Sequence, residues 1–123
     1  MNAWKAGFAM LGLIVGGCQD SVDRPADRVV VGDPDRGRRL VTDVGCNACH
    51  HIPGVRGPRG IVGPPLAGIG ARPFLGGSVP NHPATMAAFV RNAPSLVPNT
   101  AMPSMPLDQQ AAEDITAYLY SLP

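Results

Sequence analysis

The stretch Cys46-Asn47-Ala48-Cys49-His50 decides the reading of this chain. Two cysteines separated by two residues and followed directly by histidine form the attachment pattern of a c-type haem. Each thiol adds to one vinyl group of the porphyrin, and the turn between them aims the adjacent imidazole at the iron from the proximal side. Other chemistries also use closely spaced cysteines. A zinc site needs four ligands, and the remaining candidates, His51 and His82, supply no second paired cluster. A thioredoxin-like redox pair wants a βαβ setting, which the helix-and-loop pattern around this motif lacks. A disulfide closed across two intervening residues would be strained. Haem attachment is therefore the expected chemistry of Cys46 and Cys49, with His50 as an iron ligand.

Upstream of the motif, Asp33-Pro34 reads as an N-cap followed by proline at the first helical position. Gly37, Leu40, Val41 and Val44 then fall on one face of a helix that Gly45 ends. Downstream, a shorter helix is expected over Asn81 to Ala93, with Met86, Phe89 and Val90 inward and Pro94 stopping it. The last helix has Asp108 as its cap and a stripe of Ala111, Ile115, Tyr118, Leu119 and Leu122. Ile52 to Pro80 and Pro94 to Pro106 are loops rich in glycine and proline, and no period-2 strand pattern, internal repeat or phosphate-cradling glycine motif stands out. The expected class is all-α, with three main helices and long loops.

Composition agrees with that reading. The chain has 123 residues, enough for about one domain, and Gly 15 with Pro 14 favours loops over long regular elements. A formal net charge of +1 lacks the basic excess on which phosphate-backbone binding relies, so general nucleic-acid binding is disfavoured. Beyond the N-terminal region the aromatics are Phe74, Phe89, Tyr118 and Tyr120. So thin an aromatic complement asks for a cofactor at the centre. A porphyrin enclosed by Leu66, Ile69, Phe74, Met86, Phe89, Val90 and Leu119 would supply it.

The first residues read as an export signal. Lys5 precedes an apolar run from Ala6 to Gly17, shorter than the roughly 20 residues of a spanning helix. Gly16-Gly17-Cys18 then resembles a bacterial lipoprotein signal, in which the cysteine becomes the lipidated first residue. The alternative is an ordinary signal with Cys18 left over. Lipidation gives a use to the odd thiol among three cysteines. Residues 1–17 are thus expected to be the signal, 18–32 the lipid-bearing cysteine and a flexible tether, and 33–123 the folded domain. The tether is polar and mixed in charge, with a mean span of roughly 20 Å. An edge strand at Val29-Val30-Val31 is its competing reading.

With these motifs in order, residues 33 to 123 resemble the class I monohaem cytochromes c. Gly63-Pro64-Pro65-Leu66 stands where that family has its Gly-Pro-x-Leu turn, and the resemblance implies that the Pro64 carbonyl accepts the second imidazole N–H of His50. Arg72 stands where members often place an arginine that pairs with a haem propionate. Phe89 stands where relatives with a similar loop often carry tryptophan, and it cannot donate a hydrogen bond. Gly37 matches the small residue at the crossing of the first and last helices. Thr100-Ala101-Met102-Pro103 matches the distal methionine loop, so the family favours Met102 as sixth ligand, with Met105 the alternative. Met86 is expected in packing. A thioether favours ferrous iron and closes it to small ligands, which points to electron transfer.

The resemblance implies a small cytochrome c fold around one covalent haem c, with no substrate of its own and no catalytic residues. The expected protein is a monomeric electron carrier, lipid-anchored on the periplasmic side of a bacterial inner membrane or, as the weaker option, on an outer membrane. Alternatives are a haem subunit fixed in a dehydrogenase or terminal oxidase complex, and a haem sensor or peroxidase with an open distal site. From Val44 to Leu107 the chain has Arg56, Arg59, Arg72 and Arg91 but no Asp or Glu. If Arg56 and Arg59 ring the haem edge, they would steer a redox partner with an acidic docking patch.

Overall fold

The computed structural model describes residues 29–123. The signal over 1–17, Cys18 and most of the tether lie outside the described residues. Val29, Val30 and Val31 are exposed and form no strand. Helix α1 spans Pro34–Asp43, α2 Pro83–Leu96 and α3 Gln109–Ser121. Short 3₁₀ turns at Cys46–Ala48 and Ile69–Ala71 punctuate the loops.

α1 starts as its sequence dictates. The Asp33 carboxylate accepts from the amides of Asp35 (2.9 Å) and Arg36 (3.1 Å), and Pro34 opens the first turn. Past its end, Gly45 takes a left-handed φ of 84°, which reverses the chain into the Cys46 turn. In α3, Asp108 caps by accepting from the Ala111 amide at 2.7 Å. The expected stripe understates this helix, because every residue from Asp114 to Leu119 is buried. Packed between α1, α2 and the Ile69–Ala71 turn, α3 has little surface left for water.

α1 crosses α3 at Gly37. A Cβ there would collide with the Asp114 carbonyl and lie 2.9 Å from the Tyr118 Cβ, so only glycine permits this approach. The Asp114 side chain, fully buried, accepts from the Asp33 amide (2.8 Å) and Gln110 Nε2 (3.1 Å) and pairs with Arg36 Nε. Burial alone would raise the Asp114 carboxyl, but these bonds outweigh it and hold the group below its ordinary range.

α2 departs from expectation at both ends. It begins at Pro83, because His82 before it has extended backbone and the Asn81 amide is taken by Pro73 O (3.0 Å). Nor does Pro94 stop it. The chain leaves helical geometry at Asn92 (φ −151°, ψ 70°) and resumes through Leu96. Pro94 thus falls in the first turn of the resumed helix, where its missing N–H leaves no helical bond unmade.

A small antiparallel hairpin also appears where no strand was expected. β1, Phe74–Leu75, pairs with β2, Val79–Pro80, with Phe74 opposite Pro80 and Leu75 opposite Val79. Two-residue strands are too short to show alternation in sequence. Among the described residues, no helix is long and apolar enough to cross a membrane.

Candidate functional site

The Cys46–Ala48 turn is closed by hydrogen bonds from the Cys49 amide (3.2 Å) and the His50 amide (3.0 Å) to the Cys46 carbonyl. It puts Cys46, Cys49 and His50 on the wall of one cavity, and the two sulfurs are not bonded to each other. Burial pushes the half-buried Cys46 thiol up, so as a free group it stays protonated.

The following loop is laced onto this turn. Gly60 N donates to Asn47 O (3.1 Å), Gly63 N to Cys49 O (2.8 Å) and Leu66 N to His51 O (2.9 Å). The lacing carries the Pro64 carbonyl to 2.8 Å from His50 Nδ1. A carbonyl can only accept, so in the neutral ring Nδ1 is the nitrogen that carries the proton and the Nε2 lone pair is left for a metal. Gly63 makes this approach possible. A Cβ on it would fall on the imidazole, 2.5 Å from Nδ1 and 2.8 Å from Nε2.

The cavity has a volume of about 580 Å³ and is walled mainly by apolar groups, among them Leu66, Ile69, Phe74, Phe89, Val90 and Leu119. Met86, expected beside them, is instead a core side chain that does not line the cavity. Its place on the inner face of α2 was legible, but the core behind the cavity claims it. Met102 and Met105 both line the cavity and are both half-buried. Arg72 lines it too, with Nη2 donating to the Pro65 and Ala67 carbonyls, so this arginine also ties down the turn that presents Pro64.

These residues suit a porphyrin. Two thiols at attachment spacing, an imidazole whose Nδ1 is engaged by a carbonyl, two thioethers and an apolar enclosure share one space of the size usual for cofactors, roughly 300–1,000 Å³. The family model for cytochrome c matches residues 34–123. The chain belongs to the cytochrome c family. It therefore binds haem c covalently, the spacing of Cys46 and Cys49 fits the attachment site, and its function is haem-based electron transfer. The iron supplies a one-electron couple; the chain supplies ligands, orientation and an apolar surround.

Two known proteins are similar to this cytochrome c domain. Cytochrome c oxidase subunit 2 of Alkalihalophilus pseudofirmus is 28% identical over 109 residues, covering 88% of this chain and 30% of that protein. The chain thus spans less than a third of that relative. A crystal structure of SoxXA from P. pantotrophus matches with a TM-score of 0.58 at 28% identity, over 73% of this chain and 81% of that one.

Arg56 and Arg59 do not line the haem cavity. Arg56 instead borders a separate surface groove with Arg38, Arg39, Asp35 and Asp43, where its charge is partly balanced. Along the chain no acidic residue lies near Arg56, but α1 brings two of them to the same groove in space. Asn81 was missed as a supporting residue. It is buried, and its Nδ2 donates to the Ile69 and Arg72 carbonyls, both at 2.8 Å, while its Oδ1 accepts from Tyr120 OH at 2.8 Å. That network pins the start of the Arg72 segment to α3. A polar residue in the Pro80-Asn81-His82-Pro83 run was its only sequence signal.

Proposed function

We propose that this domain is a one-electron carrier whose haem is ligated by His50 and Met102, held by lipid on Cys18 at the periplasmic face of a bacterial inner membrane, and active as a monomer. The observation that carries the ligation is the shared cavity: His50, with Nδ1 bound to Pro64, and Met102 line the same apolar space. Met102 packs against the hydrophobic core, which supports it over Met105. His/Met ligation favours the ferrous state and leaves no open coordination position, which suits electron transfer better than small-molecule chemistry. Arg72, at the cavity wall, is the candidate partner of a propionate.

A second reading is a haem subunit fixed in an oxidase or other redox complex. The likeness to an oxidase subunit and to SoxXA supports it. In either case the partners are redox proteins.

The test is spectroscopic. Ferric protein matured with a c-type haem assembly system should show the weak near-infrared methionine-to-iron band, and its ferrous form should not bind carbon monoxide. Met102→Ala should abolish the band and admit carbon monoxide, while Met105→Ala should leave both nearly intact. Reversed behaviour would assign Met105, and carbon monoxide binding by the unaltered protein would favour a sensor or peroxidase. Cys18→Ser should move haem-loaded protein out of the membrane fraction, since durable attachment needs more than one acyl chain's worth of burial, at about 0.8 kcal/mol per CH₂.

A further inference from the structure

The break in α2 lies against the methionine loop, and the two are joined by a set of hydrogen bonds. At Asn92 the backbone leaves the helical region, and the Arg91 carbonyl accepts from the Met105 amide at 2.8 Å. The Asn92 side-chain oxygen accepts from Ser104 Oγ at 2.8 Å, and Asn92 and Ser104 form an isolated antiparallel bridge. Arg91 adds two more ties beyond the loop, Nε to Leu107 O (3.3 Å) and Nη1 to Gln109 Oε1 (2.8 Å). At the loop's other foot, Thr100 N donates to Val97 O (3.0 Å) and Thr100 Oγ1 accepts from the Met102 amide (3.2 Å). Both feet of the arch from Thr100 to Met105 thus rest on or just past the end of one helix.

We propose that the Asn92 break is a clamp, and that Asn92 and Ser104 are positioning residues that hold the distal thioether against the iron. The physical reason is geometric. An uninterrupted helix turns its carbonyls along its own axis toward residues four further on. Leaving helical geometry at Asn92 lets the Arg91 carbonyl face a different strand of chain, and the amide it meets belongs to the methionine loop. Pro94 suits the break, because it falls in the first turn of the helix that resumes after Asn92, where a missing backbone donor leaves no helical bond unmade. Any incoming ligand must displace the thioether and lift the loop, so the strength of the clamp adds to the cost of opening the site. This inference rests on the His/Met reading above.

The experiment measures imidazole binding to the ferric, haem-loaded protein through the shift of the Soret band. Deleting one hydrogen bond of the clamp should raise imidazole affinity by about three- to fivefold. Ser104→Ala and Asn92→Ala should each do so, and the double variant should exceed neither, because both remove the same bond. Asn92→Asp retains the acceptor and should restore the unaltered affinity. Thr116→Ala removes a buried hydroxyl that donates to Ala112 O at 2.8 Å, away from the loop. It should lower the melting temperature and leave imidazole affinity unchanged. Ser104 is exposed, so Ser104→Ala carries the test alone if Asn92→Ala fails to mature. Equal affinity across the clamp variants would overturn the clamp, as would a Thr116→Ala effect of the same size. Absence of the near-infrared methionine band in the unaltered protein would overturn the ligation reading, and the clamp with it.

Discussion

Gly37→Ala isolates the crossing on which the whole arrangement of α1 and α3 depends. On helix propensity alone the change should stabilise, by about 0.8–1.0 kcal/mol. The tertiary structure reverses the sign. The added Cβ would lie 2.5 Å from the Asp114 carbonyl carbon and 2.9 Å from the Tyr118 Cβ, besides striking the carbonyl oxygen. Two of these atoms belong to helix backbone, so no rotamer change relieves the clash and the helices must separate. Overpacking of this kind costs about 1–3 kcal/mol and sometimes more, and rigid neighbours place it at the upper end. The expected net loss is about 2 kcal/mol, which at about 4–8 °C per kcal/mol for a domain of this size lowers Tm by about 8–16 °C. Val41 on α1 and Ile115 on α3 both line the haem cavity, so separation of the helices also loosens the cofactor's surround. Thermal unfolding of the haem-loaded protein, followed by far-ultraviolet circular dichroism, reads the effect. A Tm equal to or above that of the unaltered protein would refute the crossing, because only the propensity gain would then remain.

Three further outcomes follow from the same geometry. The Asp114 carboxyl is held below its ordinary value of 3.8, so its stabilisation is complete above that pH and is lost as pH falls through the lower folded value. Asp114→Asn should cost about 2 kcal/mol at neutral pH in urea unfolding and flatten the acid limb of the stability curve; an unchanged acid limb would remove Asp114 as its source. Gly63→Ala should push the His50 ring from Pro64 and speed deuterium exchange of the Nδ1 proton by about tenfold, measured by NMR, whereas unchanged exchange would contradict the close approach. Asn81→Ala withdraws the donors to the Ile69 and Arg72 carbonyls and the acceptor of Tyr120 OH, so urea unfolding should show a loss of about 2–4 kcal/mol, and a loss under 0.5 kcal/mol would mean that water replaces the side chain without cost.

Helix ends and the haem motif were legible because each depends on residues close in sequence. Asp33 and Asp108 reach amides within three residues of themselves, and Cys46 to His50 is a single turn. The all-α class followed from those helices. The α2 boundaries were less legible, since Asn81 is withdrawn from the helix by Pro73 and the break near Pro94 is stabilised by Ser104 and Met105. The bond from His50 to Pro64 was reached through family resemblance, because the two are fourteen positions apart and spacing alone could not join them.

By itself, the sequence determined the chemistry of attachment, the caps that start α1 and α3, and the family, all carried by short ordered motifs. Only the tertiary structure decided which groups meet. It laid the Gly60-to-Leu66 loop on the haem motif, buried Asp114 against Arg36, took Met86 into the core, brought both Met102 and Met105 to the cavity, and set Arg56 beside Asp35 and Asp43 and away from the cavity wall. Local motifs are written in neighbouring residues, whereas these meetings depend on how helices distant in the chain cross, and that is set by packing at points such as Gly37, where one missing Cβ decides how closely two backbones approach.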